Sequence, residues 1–182
     1  QDYAEALRWY RLAVAQGEAA AQSSLGLMYA KGRGVPQDYA EALRWYRLAV
    51  AQGEAAAQSS LGLMYAKGRG VPQDYAEALR WYRLAVAQGE ATAQSNLGVL
   101  YEEGRGVPQN YAEALRWFRL ASAQGNDEAQ FNLGVMHANG MGVPQDDKEA
   151  VRWYRLAAEQ EYANAQANLG VMYNLGKGVP KD

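Results

Sequence analysis

A period of 36 residues runs through the chain and constrains its fold more than any other feature. Residues 1–36 and 37–72 are identical, residues 73–108 differ from them at a few positions, and 109–144 and 145–180 drift further. One tryptophan marks each unit, at Trp9, Trp45, Trp81, Trp117 and Trp153, and so does one proline, at Pro36, Pro72, Pro108, Pro144 and Pro180. A fixed period of about 20 to 50 residues is the mark of a solenoid, whose units cannot bury their apolar faces alone and must stack. Residues 1–182 therefore read as a single repeat domain with no internal boundary. Two units identical at every residue also suggest recent duplication or engineering.

Each unit reads as two helices. In DYAEALRWYRLAVAQ, residues 38–52, Asp38 and Glu41 have capping-box spacing, Pro36 lies just upstream and Gly53 is placed to end the helix. A helical wheel puts Tyr39, Ala42, Leu43, Tyr46, Ala49 and Val50 on one face of this helix, termed B. The other helix, A, covers roughly residues 54–67 and stops at Gly68. Its wheel groups Ala57, Leu61, Met64 and Tyr65 toward a core and sets Ala56, Ser59, Leu63, Ala66 and Lys67 opposite. Gly62 costs about 1 kcal/mol of helix propensity against alanine. Its recurrence as Gly26, Gly98, Gly134 and Gly170 predicts a neighbouring helix that needs the space. The pattern gives an all-α, right-handed superhelix of about ten helices, opening on a lone helix B and closing on a lone helix A before GVPKD.

Composition removes several functions. The net charge of −2 offers no basic field for nucleic acid or anionic lipid, and no apolar run approaches a membrane span. Cysteine is absent, which excludes disulfides, thiolate nucleophiles and cysteine-bound zinc and leaves the compartment open. The chain opens inside a repeat, so it reads as an excised or engineered segment from which a targeting signal would be missing.

The recurring tokens AQ-x-x-LG-x-x-Y-x-x-G-x-GVP-x-D and EA-x-x-WYR-x-A resemble the Sel-one-like repeat (SLR) family, a relative of the tetratricopeptide repeats with a longer loop in each unit. The resemblance covers essentially the whole chain. It implies a right-handed α-solenoid whose A helices line a concave groove, and adaptor or scaffold work, often in bacterial signalling and envelope biology or in membrane-protein quality control. The chain departs from the family in three ways. It lacks the disulfide staples of some exported members. It carries Leu12, Leu48, Leu84, Leu120 and Leu156 where lysine is common. His137 replaces the helix A tyrosine, and Asp147–Lys148 the tyrosine–alanine pair opening helix B.

Little in the chain supports catalysis. The glycine pair in GRGVPQD suggests a phosphate cradle, but proline removes an amide donor and the aspartate would repel an anion. A tight turn needing positive φ, closed by Val71, is the better reading. His137 is the single histidine, so no triad or histidine-rich metal site can form, and a packed or half-buried side chain is expected. Asp127–Glu128 and Asp146–Asp147 stand at helix starts, where the dipole favours acids. Glu102–Glu103 stands at a helix end, as a solvated pair or a contact for a basic partner. No pattern supports hydrolysis, redox or group transfer, so no enzyme, cofactor or metal is expected. The tryptophans border the helix B core and are expected between adjacent B helices.

The groove of A helices is the expected working surface, for a protein or peptide partner. Its candidates are Ser59, Leu63 and Lys67, then Val99, Glu102 and Glu103, then Phe131, Val135 and Asn139, then Val171. Several of these columns are where the units differ most. A further column holds Ser24, Ser60, Asn96, Asn132 and Asn168. In related repeats an asparagine here bonds a peptide backbone, for which an amide that both donates and accepts is suited; bonding to the neighbouring helix is the equal alternative. Charge is uneven, at +1 in each of the first two units, −2 in the third and −1 in each of the last two. A peptide with a basic portion over the third unit would match it. The competing function is structural: an engineered or self-assembling scaffold, stacking head to tail with no natural ligand. The leucine column is expected to pack against adjacent B helices, with a partner site as the alternative.

Overall fold

A computed structural model of the protein describes residues 2–179; Gln1, Pro180 and the closing Lys181–Asp182 of the GVPKD motif lie outside the described residues. Among the described residues there are ten α-helices and no strands. The B helices are α1 (Tyr3–Ala15), α3 (Tyr39–Ala51), α5 (Tyr75–Ala87), α7 (Tyr111–Ala123) and α9 (Asp147–Glu159). The A helices are α2 (Ala19–Lys31), α4 (Ala55–Lys67), α6 (Ala91–Glu103), α8 (Asp127–Asn139) and α10 (Ala163–Leu175). One compact unit ends at Ala93 and a second begins at Gln94.

Local chemistry sets the helix ends. The Asp38 carboxylate accepts the Glu41 N–H at 3.0 Å and starts α3. The reciprocal half of the expected capping box does not form. The Asp38 N–H donates to the Tyr29 carbonyl of α2 at 3.0 Å, and the Glu41 carboxylate instead pairs with Arg44 at 2.6 Å. A tertiary acceptor already satisfies the donor that Glu41 would have served. At the other end Gly53 takes φ 84°, its N–H donates to Val50 and the Glu54 N–H donates to Ala49, closing the helix with a Schellman motif. Helix α4 ends at Gly68 with φ 63°, and Gly70 follows at φ 72°. A Cβ on Gly70 would sit 3.1 Å from the Tyr39 carbonyl oxygen, so the GRG loop lies on the backbone of helix α3. The glycines serve a turn, and Val71 packs into the core beneath it.

In the first unit α2 packs on α3 and α4 on α5, with α1 against α2, α3 against α4 and α2 beside α4. Leu7, Leu25 and Met28 form one core cluster, which Trp45 covers from the next repeat. Ala42, Leu43, Tyr46, Ala49, Ala57, Leu61 and Met64 form the next, covered in turn by Trp81. In the second unit α7, α8, α9 and α10 pack in chain order, and Trp153 covers the cluster of Leu115, Phe118, Leu133 and Met136. These tryptophans thus reach the preceding repeat's core, made of A and B residues together, rather than a seam between B helices alone. Trp9 is 58% exposed.

Four of the helix A glycines are sockets, while the fifth, Gly170, expected to meet a neighbour as well, has nothing within 4 Å. A Cβ on Gly26 would stand 2.6 Å from the Tyr46 ring, on Gly62 2.5 Å from Tyr82, on Gly98 2.6 Å from Phe118 and on Gly134 2.5 Å from Tyr154. The expected demand for space is therefore an aromatic ring of helix B seated against the backbone of helix A. A part-buried bond between two glutamines ties each helix A to a helix B end. Gln52 donates to Gln22, Gln88 to Gln58, Gln124 to Gln94 and Gln160 to Gln130, at 2.8–3.0 Å.

One wheel reading and one packing expectation need correction. Ser59 and Ala66, placed opposite the core, are buried, at 4% and 7% exposure. Helix α4 packs on α3, α5 and α2 at once, so more than one of its faces is covered. The leucine column, expected to pack against adjacent B helices, is instead exposed: Leu48, Leu84 and Leu120 at 42% each. Within each unit the extensive contacts of the B helices are with A helices.

Candidate functional site

The A helices carry the candidate site, and in the second unit they shape a small cavity of about 240 Å³. Val135 and Asn139 come from α8, Tyr154 from α9, and Asn168, Val171 and Met172 from α10. Four residues expected to line a groove, Val135, Asn139, Asn168 and Val171, therefore meet. Helical spacing accounts for it: Val135 and Asn139 are four apart on one face, as Asn168 and Met172 are. The first unit holds a register-equivalent cavity of about 360 Å³, where Tyr10, Ser24, Leu27 and Met28 take the places of Tyr154, Asn168, Val171 and Met172.

The polar groups of this surface are unequally committed. Asn168 hydrogen-bonds the Tyr154 hydroxyl, as Ser60 bonds Tyr46 in the first unit. Burial still pushes the Tyr154 hydroxyl above the usual tyrosine pKa, against the lowering effect of that bond. Asn132 stands in the same column, but its register partner is Phe118, which has no hydroxyl. Asn139 donates to its own Val135 carbonyl at 2.9 Å, which leaves its side-chain oxygen to accept.

Other candidates fall elsewhere. Phe131 packs its ring 5.8 Å from Tyr154 and 5.3 Å from Tyr162, so it fills core space rather than opening a cavity. Ser59 is buried and is removed from the set. Leu63, Val99 and Asn96 are half-buried and Lys67 is exposed. The Glu103 carboxylate meets Arg105 at 3.0 Å. Glu102 is half-buried, and its carboxyl is raised above the usual range by burial first and by the Glu103 charge second. His137 is half-buried in the last turn of α8, with Nδ1 buried and unbonded. No group of three or more potential metal ligands occurs among the described residues. No helix there is long and apolar enough to cross a membrane.

Sequence reasoning missed the Gln–Gln bonds. The signal was present, since a glutamine recurs near the start of every helix A and directly after every helix B, as Gln22 and Gln52 or Gln130 and Gln160. Polar residues at helix ends read as solvated caps until a second helix end is seen opposite them.

Paired helices locked by glycine sockets, with Trp45, Trp81 and Trp153 each covering the core of the preceding repeat, define an all-α repeat solenoid. The Sel1 repeat model matches at residues 1–18, 19–54, 55–90, 91–126, 127–162 and 163–182. The chain belongs to the Sel1 repeat family. It is similar to a protective antigen with an SLR fold present in uropathogenic Escherichia coli, at 42% identity and a TM-score of 0.78, over 100% of this chain and 39% of that one. It thus spans well under half of that relative. It is also similar to a Sel1 repeat protein from Oxalobacter formigenes, at 39% identity and a TM-score of 0.80, over 99% of this chain and 72% of the other. An immunity protein from Pseudomonas aeruginosa shares the fold at 23% identity and a TM-score of 0.50, over 84% of this chain and 72% of that one. These relatives are bacterial, which fits a bacterial origin. None of the curated proteins compared with the chain matches it. Sel1 repeats mediate protein–protein interactions, and proteins built of them are generally scaffolds rather than enzymes.

Proposed function

We propose that the chain is a non-enzymatic interaction module that holds an extended partner segment against its A helices. The observation that carries this reading is the cavity between α8 and α10, where Val135, Asn139, Asn168 and Val171 converge. Its apolar walls would take side chains of the segment, and amides at its edge would fix the segment's backbone. Asn168 lines the cavity itself, and Asn132 of α8, outside that lining, would bond the segment's backbone beside it, because no tyrosine hydroxyl occupies its register partner. One amide bond contributes about 1 kcal/mol net, so affinity would rest on the apolar walls and reach the micromolar range for a single segment. Within the second unit Glu102 would select charge and Val99 would add an apolar contact, and within the first unit the exposed Lys67 and Leu63 would play the same parts for a segment held there.

The test is a peptide isolated by pull-down with the intact chain and mapped by truncation. Asn132→Ala should weaken its binding about fivefold, the equivalent of one hydrogen bond. Phe118→Tyr should do the same without removing any groove atom, by supplying a hydroxyl that engages the amide. Val171→Arg should abolish binding. If the mapped peptide binds all three variants as it binds the parent chain, the groove is not the site. If sedimentation shows concentration-dependent growth without any peptide, the scaffold reading replaces it.

A further inference from the structure

The exposed leucines are the largest apolar feature that neither the fold nor the groove uses. Leu12, Leu48 and Leu84 in the first unit, and Leu120 and Leu156 in the second, are between 37% and 47% exposed. Each follows directly on an exposed arginine: Arg11, Arg47, Arg83, Arg119 and Arg155. The other helix B arginine column is neutralised, since Arg8, Arg44, Arg80, Arg116 and Arg152 pair with Glu5, Glu41, Glu77, Glu113 and Glu149. The first column has no such partner. Among the described residues no carboxylate meets Arg11, Arg47, Arg83 or Arg119, and Arg155 donates to the neutral Tyr173 hydroxyl at 2.7 Å.

Two of these dyads, Arg11–Leu12 and Arg155–Leu156, line grooves. In the first unit Leu7, Leu12 and Val35 floor a cavity of about 590 Å³, with Arg8 and Arg11 on its rim. In the second unit Val151, Leu156 and Val179 floor one of about 680 Å³, with Arg152 and Arg155 in the same places. Lys148 adds a positive charge there and Glu159 a negative one. A protein with a net charge of −2 thus sets an arginine that meets no carboxylate, Arg11 or Arg155, beside each of two apolar hollows.

We propose that within each unit the Arg–Leu face of the B helices is a second interaction surface, which takes an acidic segment of a partner protein bearing leucine or phenylalanine side chains. A hollow with an apolar floor accepts a protruding side chain, which a nucleic-acid phosphate cannot supply. The arginine beside it accepts a carboxylate bidentately. The surface is separate from the α8–α10 groove, and the two stand or fall independently.

Selection of random peptides displayed on phage against the intact chain tests this. The enriched peptides should combine Asp or Glu with Leu or Phe and should bind more weakly as salt rises. By fluorescence anisotropy they should bind about tenfold more weakly to Leu12→Ser/Leu48→Ser/Leu84→Ser and to Arg11→Gln/Arg47→Gln/Arg83→Gln. Asn132→Ala should leave their affinity unchanged, which separates this surface from the groove. Unaltered circular-dichroism melts will show that the variants fold. The proposal is overturned if no peptide is enriched, if the enriched peptides are basic or uncharged, or if they bind both triple variants as tightly as the parent. It is equally overturned if phosphatidylserine vesicles bind the chain through the same residues, or if the chain sediments as a dimer that these variants dissociate.

Discussion

Glu161 has φ 65°, at the position where Gly17, Gly53, Gly89 and Gly125 take φ 81–88°. It is the one described non-glycine residue with positive φ. A side chain there strains the turn between α9 and α10, so Glu161→Gly should stabilise the chain by about 1 kcal/mol, read as a higher urea midpoint. Glu102 carries a different cost. Its carboxyl is raised by burial and by Glu103, so the protonated form favours the fold. That contribution is full below the ordinary carboxylate pKa and is lost as pH rises through the raised value. Glu102→Gln should therefore melt higher than the parent at neutral pH, and the gap should close in acid. Equal gaps at both pH values would show that Glu102 does not titrate with folding. Gln58 is a third case, because its side chain accepts from Gln88 while buried. Gln58→Ala removes that acceptor and should cost about 1–3 kcal/mol in denaturant titrations.

The meaning of an element depends on what stands beside it. Gly62 and Gly170 hold the same position in α4 and α10, yet the first faces the Tyr82 ring and the second has nothing within 4 Å. Alanine at either site gains about 1 kcal/mol of helix propensity. At Gly62 the added carbon would meet a ring that is itself buried, and overpacking of this kind costs about 1–3 kcal/mol. Gly62→Ala should thus lower the thermal midpoint and Gly170→Ala should raise it. Two shifts of the same sign would show that the socket does not decide the outcome. The same dependence explains why a single-face wheel failed for helix A and served for helix B. Ala42, Leu43, Tyr46 and Ala49 are buried as one stripe of α3, whereas α4 buries Gln58, Ser59 and Ala66 as well as its stripe.

Across the molecule, burial is uneven from helix to helix. Helix α4 buries seven residues, α1 buries only Leu7, and α10 only Ala165 and Met172. Local opening is cheapest where few apolar contacts must break. Amide hydrogen exchange followed by mass spectrometry should therefore find α1 and α10 exchanging ahead of α3, α4, α8 and α9 in this chain. Uniform protection would mean that the helices open only together.

What the amino-acid order determined by itself was the periodic part. Helix ends followed from Asp38, Gly53 and Gly68, the core stripe of α3 from its spacing, and the sockets from glycines recurring inside helices. Family membership followed from the same tokens, because local conformation and single-face burial are properties of neighbours along the chain. Only the tertiary structure decided what lies opposite each side chain. It buried Ser59, paired the glutamines, tied Asn168 to Tyr154 while setting Asn132 in register with Phe118, and left the leucines of the B helices in solvent. Each outcome depends on a residue about 14 or more positions away, brought near by helix-on-helix packing, and no periodicity within one helix can specify that partner.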